Sequence, residues 1–221
     1  MDFERARINM IEQQIRPWDV LDQDVLDLLM VVKREDFVPP AWRAMAFTDM
    51  DVPLILDGRP TGESMFAPKL EARLLQQLSV RRHEHALEVG TGSGYMAALL
   101  AHRARRVVTC EIHEGLAAFG RDNLRRAGVR NAVVEQCNGA QPPGKDKFDV
   151  ILLSGSVPFV PKDLLMRLNP GGRLAAIVGE IPAMTAQLFT RTGEDAFSTE
   201  GLFETIAKPL SGFPQKERFV F

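Results

Sequence analysis

The residues best suited to chemistry in this chain are Glu88, Gly90, Gly92 and Gly94, spaced two apart in Ala86-Leu87-Glu88-Val89-Gly90-Thr91-Gly92-Ser93-Gly94-Tyr95. Glycine has no Cβ, so the backbone can turn tightly and a ligand can approach closer than a side chain would allow. Thr91 and Ser93 add hydroxyls to the same turn. An apolar run precedes the glycines, and Met96-Ala97-Ala98-Leu99-Leu100-Ala101 follows as the start of a helix whose free N–H groups would face the ligand. Strand, glycine turn and helix in that order suit a nucleotide-like molecule. A dinucleotide fingerprint would place its third glycine at Tyr95, whereas here it comes one residue early, at Gly94. Glu111 ends the next apolar run about 20 residues further on, where a carboxylate would accept hydrogen bonds from a ribose diol. Upstream, the hydroxyls of Thr61 and Ser64 could position a nucleophile, or could equally serve the turn in which they lie.

These residues need elements to hold them. Ile8, Ile11 and Ile15 recur at helical spacing over Phe3–Ile15 until Pro17 stops the pattern. Asp22 can cap a second helix with the stripe Val25, Leu28, Leu29, Val32, and Lys33–Pro40 reads as a bend. Residues 46–54, rich in acids and carrying Pro53, read as ordered loop, and Asp57–Pro68 as a long polar gate. Pro68 opens a helix with Leu70, Leu74, Leu75 and Leu78 on one face. Strands and helices then alternate: strands at 86–89, 107–111, 132–136, 148–153 and 173–178, with helices to His102 and to Ala127 and a short helix before Asn169-Pro170-Gly171-Gly172. Such alternation builds a parallel sheet. Gln187–Arg191, Phe203–Ile206 and Arg218–Phe221 read as strands joined by turns, hence an antiparallel edge. The expected organisation is a helical extension with a gate over residues 1–80 and a ligand-binding domain over 81–221.

Composition sets outer limits. Hydrophobic residues at 45% and charged residues at 25% belong to ordinary globular proteins, and a net charge of −2 gives no electrostatic footprint for nucleic acid. No apolar run is long enough for a membrane span and Met1-Asp2-Phe3-Glu4-Arg5 lacks a signal-peptide pattern, so a cytoplasmic location is expected. Cys110 and Cys137 lack metal-ligand or C-x-x-C spacing and read as small core residues. The four histidines are scattered, which leaves no metal site, although His113, next to the ribose acid, could touch a ligand.

The E-x-G-x-G-x-G stretch resembles motif I of the class I S-adenosylmethionine-dependent methyltransferases. Over nearly the whole chain the sequence is similar to the protein-L-isoaspartate O-methyltransferases: Glu12-Gln13-Gln14-Ile15-Arg16-Pro17, Arg34-Glu35-Asp36-Phe37-Val38-Pro39, Asp51-Val52-Pro53-Leu54, Leu87 to Tyr95, and Leu168-Asn169-Pro170-Gly171-Gly172-Arg173-Leu174. The resemblance implies a Rossmann-like, mostly parallel α/β sheet and S-adenosylmethionine as cofactor. Glu88 and the turn Gly90-Thr91-Gly92-Ser93-Gly94 would hold it, Glu111 would take the ribose, and Ile112 would lie beside the adenine. Asn138-Gly139 stands where the family usually has Asp-Gly at the adenine amino group, and asparagine can still accept that hydrogen bond. The implied reaction is methyl esterification of an isoaspartyl carboxylate in damaged proteins.

One segment departs from the family. Its gate signature is G-Q-T-I-S-Q-P, and the matching residues here are Ser64-Met65-Phe66-Ala67-Pro68, with Phe66 on the serine and Ser64 on the threonine. A phenyl ring cannot hydrogen-bond a carboxylate and narrows the pocket. Ser64 and Thr61 therefore become the candidate positioning hydroxyls. Two other readings stay open on these residues: methyl transfer to a small molecule, or S-adenosylmethionine binding without transfer. Oligomeric state is not legible.

Overall fold

The computed structural model describes residues 2–215. Asp2 caps α1 (Phe3–Met10), accepting from the N–H of Arg5. The helix then widens into a π-helical turn, Ile11–Ile15, and tightens into a 3-10 turn, Arg16–Trp18, that ends at left-handed Asp19. The single helix expected over Phe3–Ile15 is thus two helical geometries in series, with Met10, Ile11 and Ile15 all buried. Asp22 caps α2 (Gln23–Val31) by accepting from Asp24 N–H at 2.9 Å. The expected bend consists of 3-10 turns at Arg34–Asp36 and Pro40–Met45.

The gate is more ordered than a loop. β1 (Val52–Leu56) and β2 (Arg59–Met65) pair as an antiparallel hairpin, with Leu56 opposite Arg59 and Val52 opposite Met65. Two residues, Asp57 (φ 49°) and Gly58 (φ 76°), make the connection, a turn that demands left-handed backbone at both positions. The loop reading is corrected over Val52–Leu56 and Arg59–Met65, while residues 46–51 are irregular as expected. Pro53 and Pro60 are tolerated because a two-stranded sheet has only edges, where a missing N–H costs little.

α3 (Pro68–Leu78) leads into β3 (His85–Val89), α4 (Tyr95–Arg103), β4 (Arg106–Glu111), α5 (Glu114–Arg126), β5 (Ala132–Gln136), β6 (Phe148–Val157), α6 (Lys162–Leu165) and β7 (Leu168–Glu180). β8 (Ala183–Arg191) and β9 (Phe197–Glu204) complete a seven-stranded sheet of order β5-β4-β3-β6-β7-β8-β9. β3 to β7 run parallel, and β8 and β9 form the antiparallel edge. This is the mostly parallel, Rossmann-like sheet with an antiparallel edge that the sequence leads one to expect. The last strand lies earlier than Phe203–Ile206, and the strand expected at 218–221 falls outside the described residues.

Period-two alternation in β6 shows why the sheet is buried on both sides. Val150 and Leu152 join a cluster with the N-terminal helices, the hairpin, α3, α4 and α5, whereas Ile151 and Leu153 join Leu164, Leu174 and Phe213 on the other face. The helical extension and the hairpin therefore share a continuous core with the sheet. Among the described residues no helix is long and apolar enough to cross a membrane.

Candidate active site

β3 pairs with β4 on one side and with β6 on the other: the chain runs outward from β3 through β4 to β5, then crosses back to begin the other half of the sheet at β6. Such a switch point opens a crevice at the carboxyl ends of the strands. A cleft of about 680 Å³ lies there, bounded by Gly90, Gly92, Glu111, Ile112 and Gly139, by Ser64 and Phe66 of the hairpin end, and by Lys208–Ser211. An adjoining open space of about 310 Å³ shares Ser64, Phe66, Gly90, Gly92 and Ser154 and reaches Glu71 and Glu88.

The glycine turn is fixed by backbone bonds. Gly90 and Thr91 N–H donate to the Cys110 carbonyl at 2.8 and 3.2 Å, and Gly94 N–H donates to the Thr91 carbonyl at 2.7 Å. All three glycines have positive φ: 95°, 49° and 82°. A Cβ on Gly94 would come within 3.0 Å of the Gly120 carbonyl, so the third glycine serves the packing of α4 on α5. Gly90 and Gly92 face the cleft. At Gly139 a Cβ would lie 2.1 Å from Val89 Cγ1, so no side chain fits.

Two carboxylates flank this turn in different states. Glu88 is fully buried and accepts from Thr109 Oγ1 at 2.7 Å and from Ser154 Oγ at 2.8 Å. With its proton spent on Glu88, Thr109 accepts in turn from Thr91 Oγ1 at 2.7 Å. Burial pushes the Glu88 carboxyl up to about 8; the two hydroxyls oppose that rise and the Glu111 charge adds to it. Glu111 instead accepts from two backbone N–H groups, Gly92 at 2.9 Å and His113 at 3.1 Å. On the hairpin side, desolvation raises the Asp51 carboxyl, while the Ala67 N–H and Arg34 offset part of the rise.

Arg34 organises the gate from beneath. It is 1% exposed, pairs with buried Glu71, and donates to the carbonyls of Ala46 at 2.9 Å and Phe66 at 2.6 Å. The backbone of Phe66 is thereby set, and the residue lines both spaces. Ser64 lines the same two spaces. Thr61 Oγ1 donates to the Leu54 carbonyl at 2.7 Å, a bond internal to the hairpin. Thr91 and Ser93 are buried, and Ser93 Oγ accepts from Tyr95 N–H at 3.3 Å, so these two offer the cleft backbone more than hydroxyls. Ile112 is 40% exposed at the rim. Asn138 Oδ1 accepts from Ala140 N–H at 3.0 Å while its amide donates to the Gly212 carbonyl at 3.4 Å.

Three participants escape sequence reasoning: Thr109, Ser154 and Lys208. Thr109 had a signal, as the single hydroxyl in an otherwise apolar stretch of β4, and the register sets it opposite Glu88. Ser154 and Lys208 reach the site through β6 and a distant C-terminal segment, which no local pattern announces.

The site suits S-adenosylmethionine in shape and donor set. Glycines with positive φ clear the approach, Glu111 presents a carboxylate to the cleft, and the buried carboxyls of Glu88 and Glu71 give the adjoining space hydrogen-bonding groups for a polar amino acid moiety. Among the described residues no group of three or more His, Cys, Asp or Glu side chains could hold a metal ion. Fold and cleft together define a class I S-adenosylmethionine-dependent methyltransferase.

Comparison with known proteins narrows the class. Residues 5–212 match the family model described as protein-L-isoaspartate(D-aspartate) O-methyltransferase. The chain is 35% identical over 214 residues to the protein-L-isoaspartate O-methyltransferase of Petrotoga mobilis, covering 96% of this chain and 98% of that one. The Roseiflexus castenholzii protein of the same name is 36% identical over 213 residues, covering 96% and 94%. A Plasmodium falciparum structure of a beta-aspartate methyltransferase in complex with S-adenosyl-L-homocysteine shares the fold, with TM-score 0.79 at 19% identity over 96% of this chain and 99% of that one. This chain belongs to the protein-L-isoaspartate O-methyltransferase family.

Proposed function

We propose that this protein transfers the methyl group of S-adenosylmethionine to the free carboxylate of isoaspartyl residues in proteins. The observation that carries the reading is the cleft at the switch point, in which the glycine turn and Glu111 meet a hairpin bearing Ser64. Gly90, Gly92 and Gly139 would clear space for the cofactor, Glu111 would accept from its ribose, and Ile112 would cover its base at the rim. Thr91, Ser93 and Gly94 support the reading as backbone of the same turn, and Asn138 as the neighbour of Gly139. When bound there, S-adenosylmethionine supplies an electrophilic methyl group whose carbon–sulfur bond breaks as a carboxylate oxygen bonds to the carbon, leaving S-adenosylhomocysteine.

A carboxylate is already ionised near neutral pH, so no strong base is needed. The chain's task is alignment and exclusion of water. On this reading Ser64, which lines both spaces, would donate its hydroxyl to the acceptor. Thr61 supports it indirectly by closing the hairpin through Leu54. The free thiols Cys110 and Cys137 fit a reducing, cytoplasmic location.

Phe66 favours a second reading. At 8% exposure its ring takes up room where the family carries a serine, which would suit a smaller acceptor. The test is incubation with tritiated S-adenosylmethionine and an isoaspartyl peptide. Base-labile methyl ester is expected; cofactor binding with no transfer to any isoaspartyl peptide overturns the first reading in favour of the second.

A further inference from the structure

The ionisable groups lining the cleft do not suit an anionic acceptor. Asp51, Glu63 and Glu111 all face it. This balance attracts a cationic sulfonium and repels a carboxylate. Among the described residues at the cleft wall, the cationic side chain set against them is Lys208, with the imidazole of His113 beyond it.

Lys208 is held as a positioned group would be. Its backbone lies in a short parallel bridge to β6: Ser156 N–H donates to the Lys208 carbonyl at 2.8 Å, and Leu210 N–H donates to the Ser156 carbonyl at 2.8 Å. From that fixed base the side chain crosses to the hairpin, donating to the Gly62 carbonyl and pairing with Glu63 Oε2 at 2.9 Å. The other Glu63 oxygen lies 3.6 Å from His113 Nε2. An ammonium group has three protons, so two partners leave one free. The Lys208 side chain is 44% exposed, which leaves it within reach of an incoming ligand.

We propose that Lys208 recognises the acceptor carboxylate, with Glu63 as the resting counter-ion that the acceptor competes against. The inference rests on the proposed reaction and assigns the charge recognition that Phe66 cannot supply. It also separates substrate from product: the carboxylate carries the charge Lys208 binds, and the methyl ester does not.

A purely structural Lys208, latching the hairpin to the C-terminal segment through Glu63, predicts something different. Cutting the latch from either side would then do the same damage. Under recognition the two sides act in opposite directions. The experiment compares wild type, Lys208→Met and Glu63→Gln, measuring isoaspartyl peptide KM and kcat. Calorimetry adds the affinity of S-adenosylhomocysteine, and that of the peptide for the S-adenosylhomocysteine complex. Expected for K208M is a rise in peptide KM and Kd on the order of tenfold, the worth of a hydrogen bond to a charged group, with S-adenosylhomocysteine affinity within about twofold of wild type. E63Q should lower peptide KM and Kd. Unchanged peptide affinity in K208M, or parallel losses in K208M and E63Q, would overturn the proposal alone. A wild type that binds S-adenosylhomocysteine but methylates no isoaspartyl peptide would overturn the parent reading and this one with it.

Discussion

The backbone N–H of Gly92 donates to Glu111 Oε2 at 2.9 Å, so the turn after β3 and the acid ending β4 fix each other's position. The other Glu111 oxygen accepts from His113 N–H, so both carboxylate oxygens are held in place at the cleft wall. Preorganisation of this kind lowers the ordering cost of binding. Glu111→Ala removes both the proposed ribose acceptor and the brace on the turn. Its affinity for S-adenosylhomocysteine, measured by calorimetry, should fall at least about tenfold.

Gly92→Val should abolish S-adenosylhomocysteine binding. Valine is strained at φ 49°, and its Cβ would sit 3.3 Å from Leu54 Cδ1, so the added branches must turn toward the cleft or displace the hairpin. Retained affinity in this variant, with the fold intact by circular dichroism, would contradict the cradle.

Glu88 predicts a pH dependence of stability. Its carboxyl ionises near 4.5 when unfolded and near 8 in the folded protein. Between those values the unfolded chain is the form that has lost the proton, so the group's contribution to stability falls as pH rises through that window. Glu88→Gln removes the effect. Its thermal midpoint should exceed that of wild type by a margin that grows from pH 5 to pH 8 and then levels off. A constant margin across the range would show that the folded carboxyl is not raised.

Arg34→Met should be strongly destabilising. It strands the buried Glu71 carboxylate and deprives the Ala46 and Phe66 carbonyls of their donor, and breaking a buried pair from one side costs about 3–5 kcal/mol. Urea unfolding should show that loss. Arg34→Lys should recover little, because one ammonium cannot reproduce the three-way fork of the guanidinium.

Much of the core was legible because it is locally encoded. Apolar runs ended by glycine or proline placed β3 to β7 within a few residues, and alternation carried strand type without any knowledge of neighbours. The hairpin could also have been read. Asp57-Gly58 is a two-residue turn signal, and the prolines that argued against strands exclude only a central strand. In contrast, nothing local reveals that Arg34, Glu71 and the Phe66 carbonyl meet, because their side chains come from three segments that converge only when the core closes.

The amino-acid sequence alone determined the chemistry available: a glycine turn for an adenosyl ligand, acids at Glu88 and Glu111, and a phenylalanine in place of the family's serine. Those are properties of residue type and spacing, which survive in an unfolded chain. Only the tertiary structure decided how the two acids are held and which charges line the cleft. Burial raises Glu88 against the hydrogen bonds from Thr109 and Ser154, while backbone N–H groups brace Glu111 at the cleft wall. Lys208, more than a hundred residues from the turn in sequence, reaches the cleft because the C-terminal segment pairs with β6. Desolvation and long-range register depend on which segments come together, and no window of sequence contains that information.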